Sequence, residues 1–159
     1  MSTVRRFEDL VCWQKARLLT KEVYRAMKNV RDHGFTDQIQ RASVSVMSNI
    51  AEGFERGTKQ EFLNYLYIAK GSAGEVRAQL YAALDIGYLN IETFKYLKGL
   101  AEDCSRLLAS FTEKLKERGQ LGMQNKLADR KDPLKEFLAG YGYVEKDGRM
   151  VPPEKSSAE

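Results

Sequence analysis

The sequence predicts an all-α protein, an antiparallel up-down four-helix bundle with a C-terminal extension. None of the three prolines lies before residue 133, and proline breaks a helix interior. Apolar residues recur every three or four positions in four long segments. The connections between these segments are short, which forces neighbouring helices to run antiparallel. We place the bundle in residues 1–118 and the extension in residues 119–159.

The first predicted helix runs from about Glu8 to Val30. Its main apolar stripe consists of Cys12, Ala16, Leu19, Val23, Ala26 and Val30. Other apolar residues widen this stripe or form a second one: Phe7, Leu10, Trp13, Tyr24 and Met27. A helix break is predicted at residues 31–34, which contain Asp32, His33 and Gly34.

The second predicted helix opens at Phe35, with Thr36 as its N-cap, because a threonine hydroxyl can accept from an unpaired amide of the first turn. Its apolar stripe consists of Ile39, Ala42, Val46, Ile50 and Phe54. The helix is expected to end near Gly57, since glycine favours the C-terminal end of a helix.

The third predicted helix begins after Thr58, which forms a capping-box pattern with Glu61. Its stripe consists of Phe62, Leu66, Ala69, Ala73, Val76, Leu80 and Leu84, and Gly87 ends the helix. Asn90 is the predicted N-cap of the fourth helix, which closes at Arg118 and Gly119. The fourth stripe consists of Ile91, Phe94, Leu97, Ala101, Cys104, Leu108, Phe111 and Leu115.

The extension has a different pattern. Residues 134–138 are predicted to form a short helix, and residues 143–151 a hairpin with Asp147 and Gly148 at the turn. Two interpretations stay open, an appendage that docks on the bundle or on a partner, and a mobile tail.

Composition favours a soluble globular chain, with 43% hydrophobic and 30% charged residues. No run approaches the roughly 20 apolar residues of a membrane span, so no membrane association is expected. The N-terminus has no apolar run, and the expected location is the cytoplasm. The formal net charge of +4 belongs to residues 1–118, which carry 19 Lys or Arg against 15 Asp or Glu.

Residues able to carry chemistry are few. His33, the single histidine, is interpreted as a solvated turn residue. Cys12 and Cys104 are far apart in sequence and lie on apolar stripes, so we expect reduced core residues. No P-loop or GxGxxG occurs, and we predict no metal site, no cofactor and no enzyme activity. Chemistry by paired carboxylates stays open, because it requires a cleft that sequence does not show.

Polar residues of the second helix share one face, at steps of three and four residues: Arg41, Ser45, Asn49, Glu52 and Arg56. Small residues accompany them, including Gly53, and the third helix repeats this composition around Gly71. Close helix packing would use such residues, with Glu75 and Gln79 as candidate polar partners. The face is interpreted as a polar network at an oligomer interface or ligand groove. The alternative is a solvated face.

A basic stripe on the first helix combines Arg17, Lys21, Arg25 and Lys28 at steps of four, four and three residues. Residues 5–31 hold eight basic and three acidic side chains. Clustered cations bind phosphates because they release condensed counterions. A solvated helix face is the alternative.

Three motifs occur in order over about residues 5–118. Residues 43–54, SVSVMSNIAEGF, resemble the S-[IV]-x-x-N-I-A-E-G signature of the bacterial 23S ribosomal RNA intervening-sequence proteins. Phe7-Glu8-Asp9-Leu10 with Trp13 resembles their opening motif, and residues 71–80, GSAGEVRAQL, their third-helix pattern. The resemblance implies an up-down four-helix bundle, commonly a ring-shaped homopentamer, whose activity is poorly defined.

We therefore expect a non-catalytic homo-oligomer, a pentamer, that binds RNA or DNA through its phosphates. Arg17, Lys21, Arg25 and Lys28 would supply the charge, and the polar face of the second helix would serve packing. The alternative is a scaffold that binds a protein partner without nucleic acid. A hydrolase or transferase would require a deep pocket with clustered carboxylates.

Overall fold

The computed structural model describes residues 4–117, 139–140, 144–146 and 149–151. A 3-10 helix at Phe7–Asp9 precedes four α-helices and two short strands. These elements are α1 (Val11–Met27), α2 (His33–Glu55), α3 (Lys59–Ile86), α4 (Ile91–Glu117), β1 (Val144–Lys146) and β2 (Arg149–Val151). The chain consists of two compact units, Met1–Gln124 and Asn125–Glu159.

The four helices form the predicted antiparallel up-down bundle. α1 packs against α2 and α4, and α3 packs against the same two helices. Each connection is at most five residues, at 28–32, 56–58 and 87–90. This connectivity confirms the all-α fold class, because loops of this length reverse the chain between adjacent helices.

The core contains the predicted stripes of all four helices, with few exceptions. Leu19, Ile50, Leu66 and Leu108 are each fully buried, and the cluster continues along the bundle through the other stripe residues. The predicted stripe position Ile91 was wrong, because this residue opens α4 and is 44% exposed.

Two predicted helix boundaries near the first connection were also wrong. α1 ends at Met27, three residues before the expected end, and α2 begins at His33, inside the predicted break. Asp32 is the N-cap of α2, since its Oδ1 accepts a 3.0 Å hydrogen bond from the Phe35 amide. Thr36 therefore lies within the first turn and is not the cap.

The predicted start of the first helix at about Glu8 was wrong, because Phe7–Asp9 form a 3-10 helix and α1 begins at Val11. The predicted close of the fourth helix at Arg118 and Gly119 lies outside the described residues. The predicted helix ends at Gly57, Thr58, Gly87 and Asn90 were confirmed. Gly57 and Gly87 have φ of 84° and 88°, a left-handed conformation that glycine adopts at low cost. Thr58 Oγ1 accepts from the Glu61 amide at 3.2 Å and donates to Glu61 Oε2 at 2.7 Å. Asn90 Oδ1 accepts from the Thr93 amide at 2.8 Å. These contacts satisfy amides that have no carbonyl partner within the helix.

The second unit contains the predicted hairpin strands. β1 and β2 pair antiparallel, with Val144 opposite Val151 and Lys146 opposite Arg149. The predicted turn at Asp147 and Gly148 and the predicted helix at residues 134–138 lie outside the described residues. Across the described part of the chain, no helix has the length and apolar character needed to cross a membrane.

Candidate functional site

Arg17, Lys21 and Arg25 are exposed on the outward side of α1, and the exposed Lys28, the helical C-cap residue, continues the stripe by one position. Cys12, Ala16, Leu19 and Val23 point from the opposite side into the core. At 1.5 Å per residue, the stripe from Arg17 to Lys28 extends about 16 Å along the helix. The structure therefore places these predicted site residues together on one surface.

The four cations differ in their local partners. The Arg25 guanidinium lies 3.5 Å from Glu22 Oε2, and the Arg17 guanidinium lies 5.9 Å from the centre of the Trp13 ring. Lys21 and Lys28 form no ion pair with any side chain among residues 4–117. Two ammonium groups of the stripe are thus available to an anionic ligand without breaking an intramolecular contact.

Tyr24 lies within the basic stripe, although sequence reasoning assigned it to the apolar residues of the first helix. The side chain follows Lys21 by three residues and precedes Lys28 by four, so the three share one face of α1. Tyr24 is 46% exposed. Its position relative to the neighbouring lysines was the sequence signal that could have identified it.

The polar face of α2 divides into a part-buried half and an exposed half. Asn49 Nδ2 donates to the backbone oxygen of Ser45 at 2.8 Å and to Ser45 Oγ at 2.9 Å. Ser45 Oγ lies 2.9 Å from Ser72 Oγ on α3, and Ser72 donates its own proton to the Ile68 carbonyl at 3.1 Å. Ser45 is therefore the donor to Ser72. These contacts form a continuous hydrogen-bond chain that joins α2 to α3 inside one protomer.

The exposed half is organised around Glu52. Glu52 Oε1 accepts a 2.7 Å hydrogen bond from Arg56 Nη2 and a 2.8 Å hydrogen bond from the Tyr65 hydroxyl of α3. The Arg56 guanidinium also lies 5.1 Å from the Tyr65 ring centre. The bond from Arg56, and then that from Tyr65, lowers the pKa of the Glu52 carboxyl. The hydrogen bond that the Tyr65 hydroxyl donates to Glu52 raises the pKa of Tyr65.

The glycines assigned to packing have different surroundings. Gly53 is buried, and a Cβ at this position would lie 2.5 Å from Tyr65 Cβ and 3.1 Å from Phe62 Cδ2. Gly71 is exposed, and a Cβ there would have nothing within 4 Å. Gly53 therefore permits close contact between α2 and α3, whereas Gly71 does not serve packing within the protomer.

The other predicted packing residues form contacts along their own helices. Arg41 Nη1 lies 3.7 Å from Asp37, and Gln79 Nε2 donates to Glu75 Oε1 at 3.3 Å. Glu75 and Gln79 thus bond to each other, where we had expected them to meet the polar face of α2. An open groove of about 360 Å³ lies along the surface between α2 and Glu75 of α3 at this level. Its lining residues are Asp37, Gln38, Arg41, Ala42, Ser45 and Glu75.

The outward side of α3 is unusually apolar for an exposed helix. We call it the outer face of α3, formed by Tyr67, Ile68, Gly71, Gly74, Ala78 and Tyr81. Its three large side chains, Tyr67, Ile68 and Tyr81, are each about half exposed. A Cβ added to either glycine would have nothing within 4 Å. Exposed apolar side chains on one helix face are typical of protein contacts.

Two buried thiols have strongly raised pKa values. Burial raises the pKa of Cys12 to about 11 and that of Cys104 to about 12, so both are neutral thiols at physiological pH. His33 is exposed in the first turn of α2. Among the residues that the structure describes, no group of three or more His, Cys, Asp or Glu side chains could hold a metal ion.

The fold and surfaces define a class of protein, a four-helix bundle with a basic face on one helix and an apolar outer face on another. The chain matches the family described as 23S rRNA-intervening sequence protein over residues 8–110, and it belongs to that family. The resemblance stated from the motifs is thereby confirmed.

A solved structure supports the same architecture. It is described as a protein with unknown function from the S23 ribosomal protein family of Bacteroides thetaiotaomicron VPI-5482. The TM-score is 0.61 and the sequence identity 21%, over 65% of this chain and 99% of the other. This likeness concerns the fold alone. A search of curated proteins finds no match.

Proposed function

We propose that this family member is a non-catalytic, cytoplasmic homo-oligomer, a pentamer, that binds RNA or DNA through backbone phosphates. The observation that carries the proposal is the exposed basic stripe of α1, formed by Arg17, Lys21, Arg25 and Lys28. The stripe points away from the core, and two of its ammonium groups have no competing carboxylate among the described residues.

The charge of one protomer is modest, and oligomerisation would increase it. Each phosphate that a cation neutralises releases condensed counterions, and this release supplies affinity that falls with salt. Several copies of the stripe on one assembly would bring more phosphates into contact with cations and enlarge the positive potential. Phosphate contacts carry no base information, so little sequence preference is expected.

The outer face of α3 supports self-association. Its glycines leave room for a second helix to approach closely, while Tyr67, Ile68 and Tyr81 offer apolar area around that contact. The Ser45–Ser72 hydrogen bond, in contrast, lies within the protomer. The packing role of the α2 polar face therefore belongs to bundle folding, and α3 is the surface proposed for oligomer contacts.

The carboxyls with a shifted pKa offer no general acid for neutral pH. A general acid at neutral pH needs a raised carboxyl pKa. The described carboxyls with a shifted pKa, Asp32, Glu52, Glu102 and Asp103, are all shifted downward, mainly by hydrogen bonds from neighbouring donors. These groups remain ionised and act as acceptors for structural contacts.

Charge reversal tests the phosphate contact. The variant with Arg17, Lys21, Arg25 and Lys28 all changed to Glu is expected to lose binding to a mixed RNA and DNA pool, while circular dichroism shows an intact helical fold. Anisotropy titrations across salt concentrations should give a steep linear loss of log affinity for the wild-type protein. Unchanged affinity in the fourfold variant would contradict the proposal.

A smaller matched pair controls for net charge. Lys21→Glu with Lys28→Glu changes the stripe, whereas Lys95→Glu with Lys114→Glu makes the same charge change at exposed positions of α4. Only the first double variant should weaken binding strongly. Equal losses in both would indicate a response to overall charge and would argue against a defined face on α1.

The outer face of α3 also favours a second candidate function, a scaffold that binds a protein partner without nucleic acid. An exposed apolar helix face is typical of either kind of protein contact. The scaffold predicts no retention on heparin or nucleic acid at moderate salt. Retention of the wild-type protein, lost in the stripe variant, would favour the phosphate-binding function.

A further inference from the structure

Tyr24 is the one aromatic side chain among the exposed residues of the basic stripe. Lys21 and Lys28 lie one turn before and after it on α1, and Arg25 is its neighbour in sequence. The ring is 46% exposed and forms no hydrogen bond or ring contact with a residue of the described bundle. Close to half of the Tyr24 surface is therefore open to solvent between two cations, without a polar or aromatic partner among the described residues of the bundle.

Other exposed tyrosines have different surroundings. The Lys116 ammonium lies 5.3 Å from the Tyr67 ring centre, and Tyr81 packs edge-on against Phe94 at 5.0 Å. Tyr96 on α4 is 50% exposed, but its neighbours one turn away include Glu92 and no cation at a helical i±3 or i±4 position. The combination of a free ring and flanking cations is therefore particular to Tyr24 among these four.

An aromatic ring between phosphate-binding cations fits an unpaired strand. Bases of a single strand expose their faces and stack on aromatic side chains, while cations contact the backbone on either side. In a duplex the base faces are stacked on each other, and a ring on a helix surface meets only groove edges or backbone. Stacking is tolerant of sequence, which agrees with a surface that otherwise contacts phosphates.

We propose that the α1 surface binds a single-stranded polynucleotide, with Tyr24 stacking on a base and Lys21 and Lys28 holding the adjoining phosphates. The inference rests on the proposed nucleic-acid binding and specifies its ligand. Phosphates and base faces are common to RNA and DNA, so unpaired strands of either kind are expected to bind alike.

The comparison of single strand with duplex separates stacking from charge. A surface that used charge alone would prefer the duplex, which carries one charge per roughly 1.7 Å against 3.4 Å for each strand. Wild-type protein should instead bind a fluorescent mixed-sequence single strand more tightly than the duplex of equal length, measured by anisotropy at moderate salt.

Tyr24→Ala should lower single-strand affinity by about five- to 150-fold, the usual effect of removing one stacking side chain, and change duplex affinity less than twofold. Tyr24→Phe retains the ring and should bind as the wild type does. Tyr96→Ala removes an equally exposed tyrosine from α4 and should leave both affinities unchanged.

Equal effects of Tyr24→Ala on single strand and duplex would overturn the stacking inference while leaving phosphate binding in place. A wild-type preference for the duplex would overturn it in the same way. Wild-type protein that binds neither ligand would overturn the proposed function itself, and the stacking inference with it.

Discussion

Tyr65 of α3 lies so close to Gly53 of α2 that a methyl group on the glycine would be 2.5 Å from Tyr65 Cβ. The same tyrosine donates its hydroxyl proton to Glu52, one residue before the glycine. Together with the chain from Asn49 through Ser45 to Ser72, these contacts fix α2 against α3 along the segment that carries the family motif. The motif residues therefore have a packing role within a protomer.

Gly53→Ala is expected to destabilise the bundle by about 1–3 kcal/mol, because the obstructing Tyr65 Cβ is tied to the α3 backbone and the helices must separate. Gly99→Ala in α4 is the matched control, since a Cβ there would meet nothing within 4 Å. The control should gain about 0.5–1 kcal/mol from helix propensity. Urea denaturation measures both, and a stabilised Gly53→Ala would refute the close-contact account.

Asn49→Asp is expected to cost about 1–3 kcal/mol at neutral pH, because a carboxylate cannot donate and would set a charged oxygen against the Ser45 carbonyl oxygen. Asn64→Asp provides the comparison. Asn64 Oδ1 accepts from Gln60 at 3.1 Å, a role that a carboxylate can also perform. This control should change stability by less than about 0.5 kcal/mol, and similar losses at both sites would count against the hydrogen-bond chain.

Acid should remove a stabilising contribution from Asp32. The Phe35 amide, and then the Tyr88 hydroxyl at 2.8 Å, lower the pKa of this carboxyl below its ordinary value of 3.8. Folding lowers the pKa of Asp32, so its contribution to the free energy of unfolding is complete at pH values above the ordinary, unfolded-state pKa. That contribution disappears as the pH falls through the folded-state pKa.

Asp32→Asn retains an acceptor for the helix cap but does not titrate. The difference in urea midpoint between wild type and this variant should be constant from about pH 7 to pH 5 and shrink below about pH 4. Tyr88→Phe removes one of the donors and should reduce the pH dependence. A difference independent of pH would show that the Asp32 carboxyl is not perturbed by folding.

Gly71→Arg should reduce the size of the assembly without unfolding the protomer. The position has open space around a Cβ in the isolated chain, but a bulky cation on the outer face of α3 would block a second helix. Light scattering should show a fall from the mass of the proposed pentamer, about five times the 18.1 kDa chain mass, while helical content is retained.

Gly99→Arg tests the same substitution on α4, where a Cβ also has no neighbour within 4 Å. It should leave the assembly intact. An unchanged assembly in Gly71→Arg, or equal disruption by both variants, would place the self-association surface elsewhere on the bundle.

The bundle could be predicted from sequence because its signals are local and repeated. Stripe spacing identified the core residues of four helices, and Thr58, Gly87 and Asn90 were correctly assigned to helix ends. The start of α2 was missed because two residues of similar capping chemistry, Asp32 and Thr36, lie four positions apart. Only the structure shows that the Asp32 side chain reaches the Phe35 amide.

Less of the candidate site could be predicted from sequence. Helical spacing shows which residues share one side of a helix, but it does not show whether that side contacts another helix or solvent. Ser45 and Asn49 were grouped with Arg41 on one stripe. Ser45, however, is bonded to Ser72 of α3 and Asn49 to Ser45, whereas the exposed Arg41 pairs with Asp37. Helical spacing also did not show that Gly53 contacts α3 whereas Gly71 is open to solvent. Tyr24 was interpreted as apolar, since spacing alone does not separate an aromatic residue of the core margin from an exposed one.

The two cysteines give the bundle an internal reporter of opening. Cys12 on α1 and Cys104 on α4 are buried and protonated, so alkylating reagents gain access to them only while those helices are transiently apart. The rate of cysteine labelling would therefore measure how often α1 and α4 separate in solution. Slower modification with nucleic acid present would show, without any engineered probe, that a ligand bound to α1 makes the separation of α1 from α4 less frequent.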